Sequence, residues 1–238
     1  MKTKQRVFSR EKDSRHENLD QTLEAEGAPT MAPPPMQLTA GPAASNASDG
    51  AEAQAKKGKP RNFVPKHNSD DFESKKEKRK LAKATKQAYR MAKKAKSNVS
   101  KDNKTYKTWM DTGESDTENA EQRVSHVKSG MDAITSTLEE DLITFKKYGL
   151  DDGQEESTYA YVYPSEEEHN IYLGGAFWVA KIRGWDSKAG TIIHELSHRV
   201  HGTDDHAYGR SGAQDLAKND PNTATKNADN YEYFAEGS

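Results

Sequence analysis

Apolar residues recur at helical spacing in three stretches of the chain and fall in strand-like runs in two others. Across residues 75–104, Leu81, Ala84, Ala88, Met91, Ala92 and Ala95 recur every three to four positions, which predicts an amphipathic helix. Across residues 118–147, Val124, Val127, Met131, Ile134, Leu138 and Leu142 keep the same period and predict a second helix. The period then shortens. Residues 159–163 alternate and are rich in Tyr and Val, and residues 170–173 form a short apolar run, so both read as strands. Gly174 and Gly175 break the second strand, and residues 176–180 are expected to continue it. A third helix should start near Asp186 or Ser187, both good caps, with Ala189, Ile192, Ile193, Leu196 and Val200 as its buried stripe. Gly202 should end it. A last helix is expected over residues 228–236. Helices beside a small sheet make an α+β fold.

Composition divides the chain. Hydrophobic residues make up 32% of the 238 and charged residues 31%, which is lean for a fully folded chain. The shortage is concentrated in residues 1–71, which include an Ala-, Pro-, Gly- and Ser-rich stretch. That segment is expected to be a disordered leader, and residues 72–238 a folded domain. The leader's PPPMQLTA stretch resembles short Pro-x-Gln segments in cargo of bacterial contractile injection systems, which implies targeting or packaging through such secretion machinery. The first twenty residues are charged throughout and hold no apolar run, so they do not read as a signal peptide. No stretch approaches a membrane span. Synthesis in the cytoplasm followed by a non-classical export route fits both points.

Charge and cysteine content narrow the chemistry. With no cysteine, disulfides and thiolate metal sites are excluded. The net charge is −2, yet residues 75–104 carry thirteen Lys and Arg against Glu77 and Asp102. One aromatic, Tyr89, stands in that run, with no base-stacking pattern, so it is expected to be a solvated helix face and not a nucleic-acid site.

The third helix carries His194-Glu195-Leu196-Ser197-His198. Residues four apart share one helical face, so two imidazoles can grip one metal ion. Glu195 follows the first ligand and can act as general base toward the attacking water. A catalytic zinc needs a third protein ligand and an open position. Asp205, Asp204 and, from the last helix, Glu232 are the candidates. A His-rich continuation is not supported, because His201 and Asp204 stand where a glycine and a third histidine would be needed. His201 and His206 read as surface residues or as residues packed behind the ligands.

The segment Gly202-Thr203-Asp204-Asp205-His206-Ala207-Tyr208-Gly209 resembles the GTxDxxYG pattern that follows HExxH in aspzincins, the family of deuterolysin and the fungal peptidyl-Lys metalloendopeptidases. The likeness extends to Tyr106 and Trp109, to the IYLGGAFWVA stretch, and to residues 227–234, so it covers about residues 80–238. The resemblance implies a zincin-like zinc metalloendopeptidase acting on proteins or peptides. His194, His198 and Asp205 would hold the metal. Glu195 would be the base and Tyr208 the oxyanion donor. It also implies that Asp229 and Glu232 line a pocket for lysine, giving cleavage on the amino side of that residue. The fungal members use disulfides and this chain has none, which suggests a bacterial effector or toxin. Two other readings remain: an inactive metal-bound module docking through its basic helix, and a gluzincin-type peptidase with Glu232 as ligand.

Overall fold

The computed structural model describes Lys4–Val7, residues 63–114 and residues 118–238. The elements in chain order are β1 (Lys4–Val7), β2 (His67–Asn68), α1 (Lys75–Ser97), α2 (Lys104–Trp109), α3 (Ala120–Glu140), β3 (Ile143–Lys147), β4 (Thr158–Val162), β5 (His169–Leu173), α4 (Gly175–Val179), α5 (Lys188–His201), α6 (Gly209–Asn219), α7 (Pro221–Ala224) and α8 (Ala228–Gly237). This is the α+β arrangement that the pattern predicts. The strands form one mixed sheet in the order β1-β4-β5-β3-β2. β2, β3 and β5 run parallel, and β4 is antiparallel to both β5 and β1.

One face of the sheet joins the helices in a single core. Ile143, Phe145, Ala160, Val162, Ile171 and Leu173 point into it, against Leu81, Met131, Ile134, Ile192 and Leu196. On α1, buried alanines at 84, 88, 92 and 95 keep the helix surface low, so α3 and α5 can pack closely against it. The lysines between them face solvent. The other sheet face carries tyrosines: Tyr161 and Tyr172 stack with ring centroids 4.9 Å apart.

Two expectations need correction. The helix expected over residues 118–147 stops at Glu140, and Ile143–Lys147 is a strand. Leu142 continues the helical spacing but is 51% exposed, while Ile143, Thr144 and Phe145 favour the pleated, buried position between β2 and β5. Residues 176–180 do not continue β5. They form most of the short helix α4, because the chain turns at Gly174, where backbone of Glu155 and Thr158 leaves no room for a side chain.

Of the leader expected over residues 1–71, residues 8–62 lie outside the described residues. At its ends, Lys4–Val7 pairs with β4, and the chain packs onto the domain from Phe63, whose ring lies 5.0 Å from that of Tyr89. Packing thus starts ahead of the boundary expected at residue 72.

Candidate metal centre

α5 runs through the middle of the helical layer, against α1, α3 and α8 and below β4. Ser187 caps it, its Oγ accepting from the Gly190 N–H at 3.0 Å. Gly202 ends it in the left-handed region at φ 66°, which glycine adopts without the Cβ penalty of other residues. The chain reverses there. Thr203 N–H returns to Ser197 O, and the Ser197 and Thr203 hydroxyls meet at 2.7 Å.

This reversal delivers Asp205 to the two histidines. His194 Nε2 and His198 Nε2 are 3.2 Å apart, and Asp205 Oδ1 is 3.3 Å from each. Donors about 2.0–2.1 Å from one tetrahedral ion stand about 3.3–3.4 Å from each other, so these three atoms have the spacing of three zinc ligands. Burial raises the Asp205 carboxyl, but hydrogen bonding and charge from His194 and His198 outweigh it and hold the group far below the usual carboxylate range. Asp205 is therefore an anion at neutral pH, as a ligand must be.

Both rings are oriented from behind. His198 Nδ1 lies 2.7 Å from Thr203 O, and that carbonyl can only accept, so a proton stays on Nδ1 and Nε2 is the nitrogen left to face a metal. His194 Nδ1 faces Asp229 Oδ1 at 2.9 Å and Glu232 Oε2 at 3.5 Å, with the same consequence. Asp229 also accepts from the Gly209 N–H at 2.6 Å, so one carboxylate joins the ligand helix to the loop carrying Tyr208.

Glu195 is buried beside its neighbours, 1% exposed. Tyr208 is 43% exposed at the start of α6. Burial, then the Asp205 carboxylate with which it shares a hydrogen bond, then Asp229 and Glu195, push its hydroxyl above the usual phenol range. It stays protonated and can donate.

Glu232 does not join the ligand group around both Nε2 atoms. It faces the opposite nitrogen of His194, and Asp205 takes the position that a gluzincin-type site would give it. Asp204 instead forms a backbone bridge: its N–H donates to Lys226 O and its carbonyl accepts from Ala228 N–H.

Several supporting residues were not singled out by the sequence pattern. Asn227 precedes α8 at a cap position but makes no side-chain cap bond. Its Oδ1 accepts from the His206 and Ala207 N–H groups and its Nδ2 donates to Ala207 O, which fixes the loop after Asp205. Lys188 is 2% exposed, with Nζ donating to the carbonyls of Trp178 and Ala180 above the Phe177 ring. Burial, helped by Lys80, holds its amine down to about 8. Glu236 accepts from the Asp186 and Ser187 N–H groups and the Ser187 hydroxyl, a second cap on α5. A lysine and a glutamate flanking helices carry no signal of such roles.

The family profile of the aspzincin lysine-specific metallo-endopeptidases matches residues 94–236. The chain belongs to this family. A peptidyl-Lys metalloendopeptidase of Pleurotus ostreatus is 44% identical over 134 residues, which cover 55% of this chain and 72% of that one. An extracellular protease of Aeromonas hydrophila is 51% identical over 98 residues, 40% of this chain but 28% of that protein. The chain thus spans only about a quarter of the Aeromonas relative's length. The solved zinc peptidase of Grifola frondosa superposes with a TM-score of 0.58 at 36% identity, covering 69% of this chain and 96% of that one. Zinc fits the aspzincin centre described above: two imidazoles and one carboxylate are a borderline donor set, and three protein ligands leave the fourth position open.

Proposed function

We propose that the protein is a zinc metalloendopeptidase that hydrolyses protein or peptide substrates on the amino side of lysine. The observation that carries this reading is the equal spacing, 3.2–3.3 Å, of His194 Nε2, His198 Nε2 and Asp205 Oδ1, with Glu195 buried next to the first ligand. His194, His198 and Asp205 would hold the zinc, which would supply Lewis acidity toward the scissile carbonyl and the attacking water. Glu195 takes a proton from that water and returns it to the leaving amine. Tyr208, kept protonated, donates to the oxygen that becomes negative. Asp229 and Thr203 O hold the two imidazoles in the metal-binding tautomer throughout.

Selectivity for lysine rests on Asp229 and Glu232. Both are fully buried and converge on one face of His194. A pair of carboxylates is the chemistry that would select an ammonium over a neutral side chain. The family's own description as lysine-specific supports the same conclusion.

Export as an effector or toxin delivered through its leader is the wider setting this reading favours. Its support is the leader's composition, the absence of cysteine and the extracellular protease among the relatives.

The test is digestion of a denatured protein by the zinc-loaded chain, with Glu195→Ala as control and products sequenced by mass spectrometry. Metal-dependent products that begin with lysine are expected. Metal-dependent cleavage without that preference would remove the role given to Asp229 and Glu232. One tightly held zinc with no cleavage would favour the inactive docking module.

A further inference from the structure

α5 carries a third histidine, His201, one turn beyond His198 and outside the ligand group. Its ring leaves α5 for α3. Gly130 makes this possible: a Cβ there would lie 2.6 Å from His201 Cδ2 and 2.8 Å from Tyr231 Cε1, so α3 is open where the imidazole rests. His126 stands one turn earlier on the same face of α3. The two rings meet with centroids 4.3 Å apart and Nε2 atoms at 3.1 Å. That separation nearly equals the 3.2 Å between the Nε2 atoms of His194 and His198.

We propose that His126 and His201 form a second metal site, for a borderline divalent ion such as Zn2+, Ni2+ or Cu2+, with two imidazole ligands and solvent completing the coordination. Three features support it. The donor atoms face each other at ligand spacing. Both side chains are half-buried at the domain surface, so an ion can reach them from solvent. Burial first, and then Lys226 beside His126 and His126 beside His201, keep both rings neutral in the physiological range, as metal binding requires. With Lys226 nearby and two protein ligands among the described residues against three, the site is weaker than the aspzincin centre. It therefore fills second, as free metal rises. Imidazole suits the later first-row ions and disfavours Mg2+ and Ca2+.

The experiment titrates tag-free, chelator-stripped Glu195→Ala protein with Zn2+ against a chromophoric chelator. Two equivalents are expected, one tight and one weaker. His126→Ala should remove the weaker equivalent and leave the tight one. His201→Ala should do the same. A parallel measurement needs no substitution at the pair: with the first site filled by Zn2+, sub-stoichiometric Ni2+ should broaden the ring signals of His126 and His201 together. Binding that stops at one equivalent, or a second equivalent that survives both substitutions, would overturn the site. Ni2+ broadening elsewhere on the protein would do the same, and would leave the pair as two neutral imidazoles sharing a hydrogen bond.

Discussion

At the scale of single residues, the two histidines of the candidate metal centre are each oriented by an acceptor at Nδ1. Asp229 is the clearest case, since it meets His194 Nδ1 through one oxygen and the Gly209 N–H through the other. Asp229→Asn keeps the shape and removes the charge, so zinc affinity should fall about 10–100-fold, measured by chelator competition. Glu232→Gln, whose oxygen is 3.5 Å from the same nitrogen, should leave zinc content unchanged and weaken the preference for lysine. Equal loss of zinc in both variants would argue that the two carboxylates have one shared task. His201 gives a pH signature. Burial, then His126, lower its folded-state pKa from the ordinary 6.5 to about 4. The unfolded chain therefore binds more protons between those values, and stability is full above pH 6.5 and falls as the pH drops toward 4. In a chelating buffer, His201→Gln should flatten that part of the Tm-against-pH curve relative to the parent.

At the scale of elements, α5 and α8 decide the site, and their contact has little tolerance. Gly190 faces α8, where a Cβ would fall 2.9 Å from Glu232 Cγ and still closer to the Glu236 carboxyl. In an open helix, Gly→Ala would stabilise by about 1 kcal/mol. Here overpacking wins, and Gly190→Ala should cost about 1–3 kcal/mol in denaturant unfolding and disturb lysine selectivity by moving Glu232. The same two helices show what a sequence discloses. HExxH, its Ser187 cap and the Gly202 stop were legible because spacing and capping are local. Asp205 was reachable only through the family motif, since composition alone left Asp204 and Glu232 open. Asn227, Lys188 and Glu236 were not legible, because their partners lie in loops and helix ends that only the folded chain brings near. The helix expected through residue 147 failed for a related reason. Leu142 fits a period of four, but the sheet position beside β5 claims the next five residues. A short apolar run such as residues 176–180 does not separate strand from helix until Gly174 is seen to turn against β4.

At the scale of the whole molecule, the helical layer is joined away from the metal by a buried ion pair. Arg123 on α3 and Asp111 after α2 are each 3% exposed, with Nε and Nη2 both 2.9 Å from Asp111 Oδ2. Arg123 Nη1 extends to Asn222 Oδ1 on α7 at 3.2 Å, so one guanidinium links three segments far apart in sequence. Such a pair adds little over a well-packed apolar substitute, because desolvation offsets attraction, but removing one partner leaves a buried charge unanswered. Asp111→Ala should therefore cost about 3–5 kcal/mol, a Tm fall on the order of 10 °C for a domain of this size. Replacing both, as Asp111→Leu with Arg123→Met, should recover most of that loss. Zinc affinity should stay near the parent value in the double variant, because the bonds from Arg123 to Asp111 and Asn222 involve none of the three candidate ligands. If the double variant stays as unstable as Asp111→Ala, the guanidinium's bond to Asn222 is the larger contribution, and Asn222→Ala alone should then reproduce the loss.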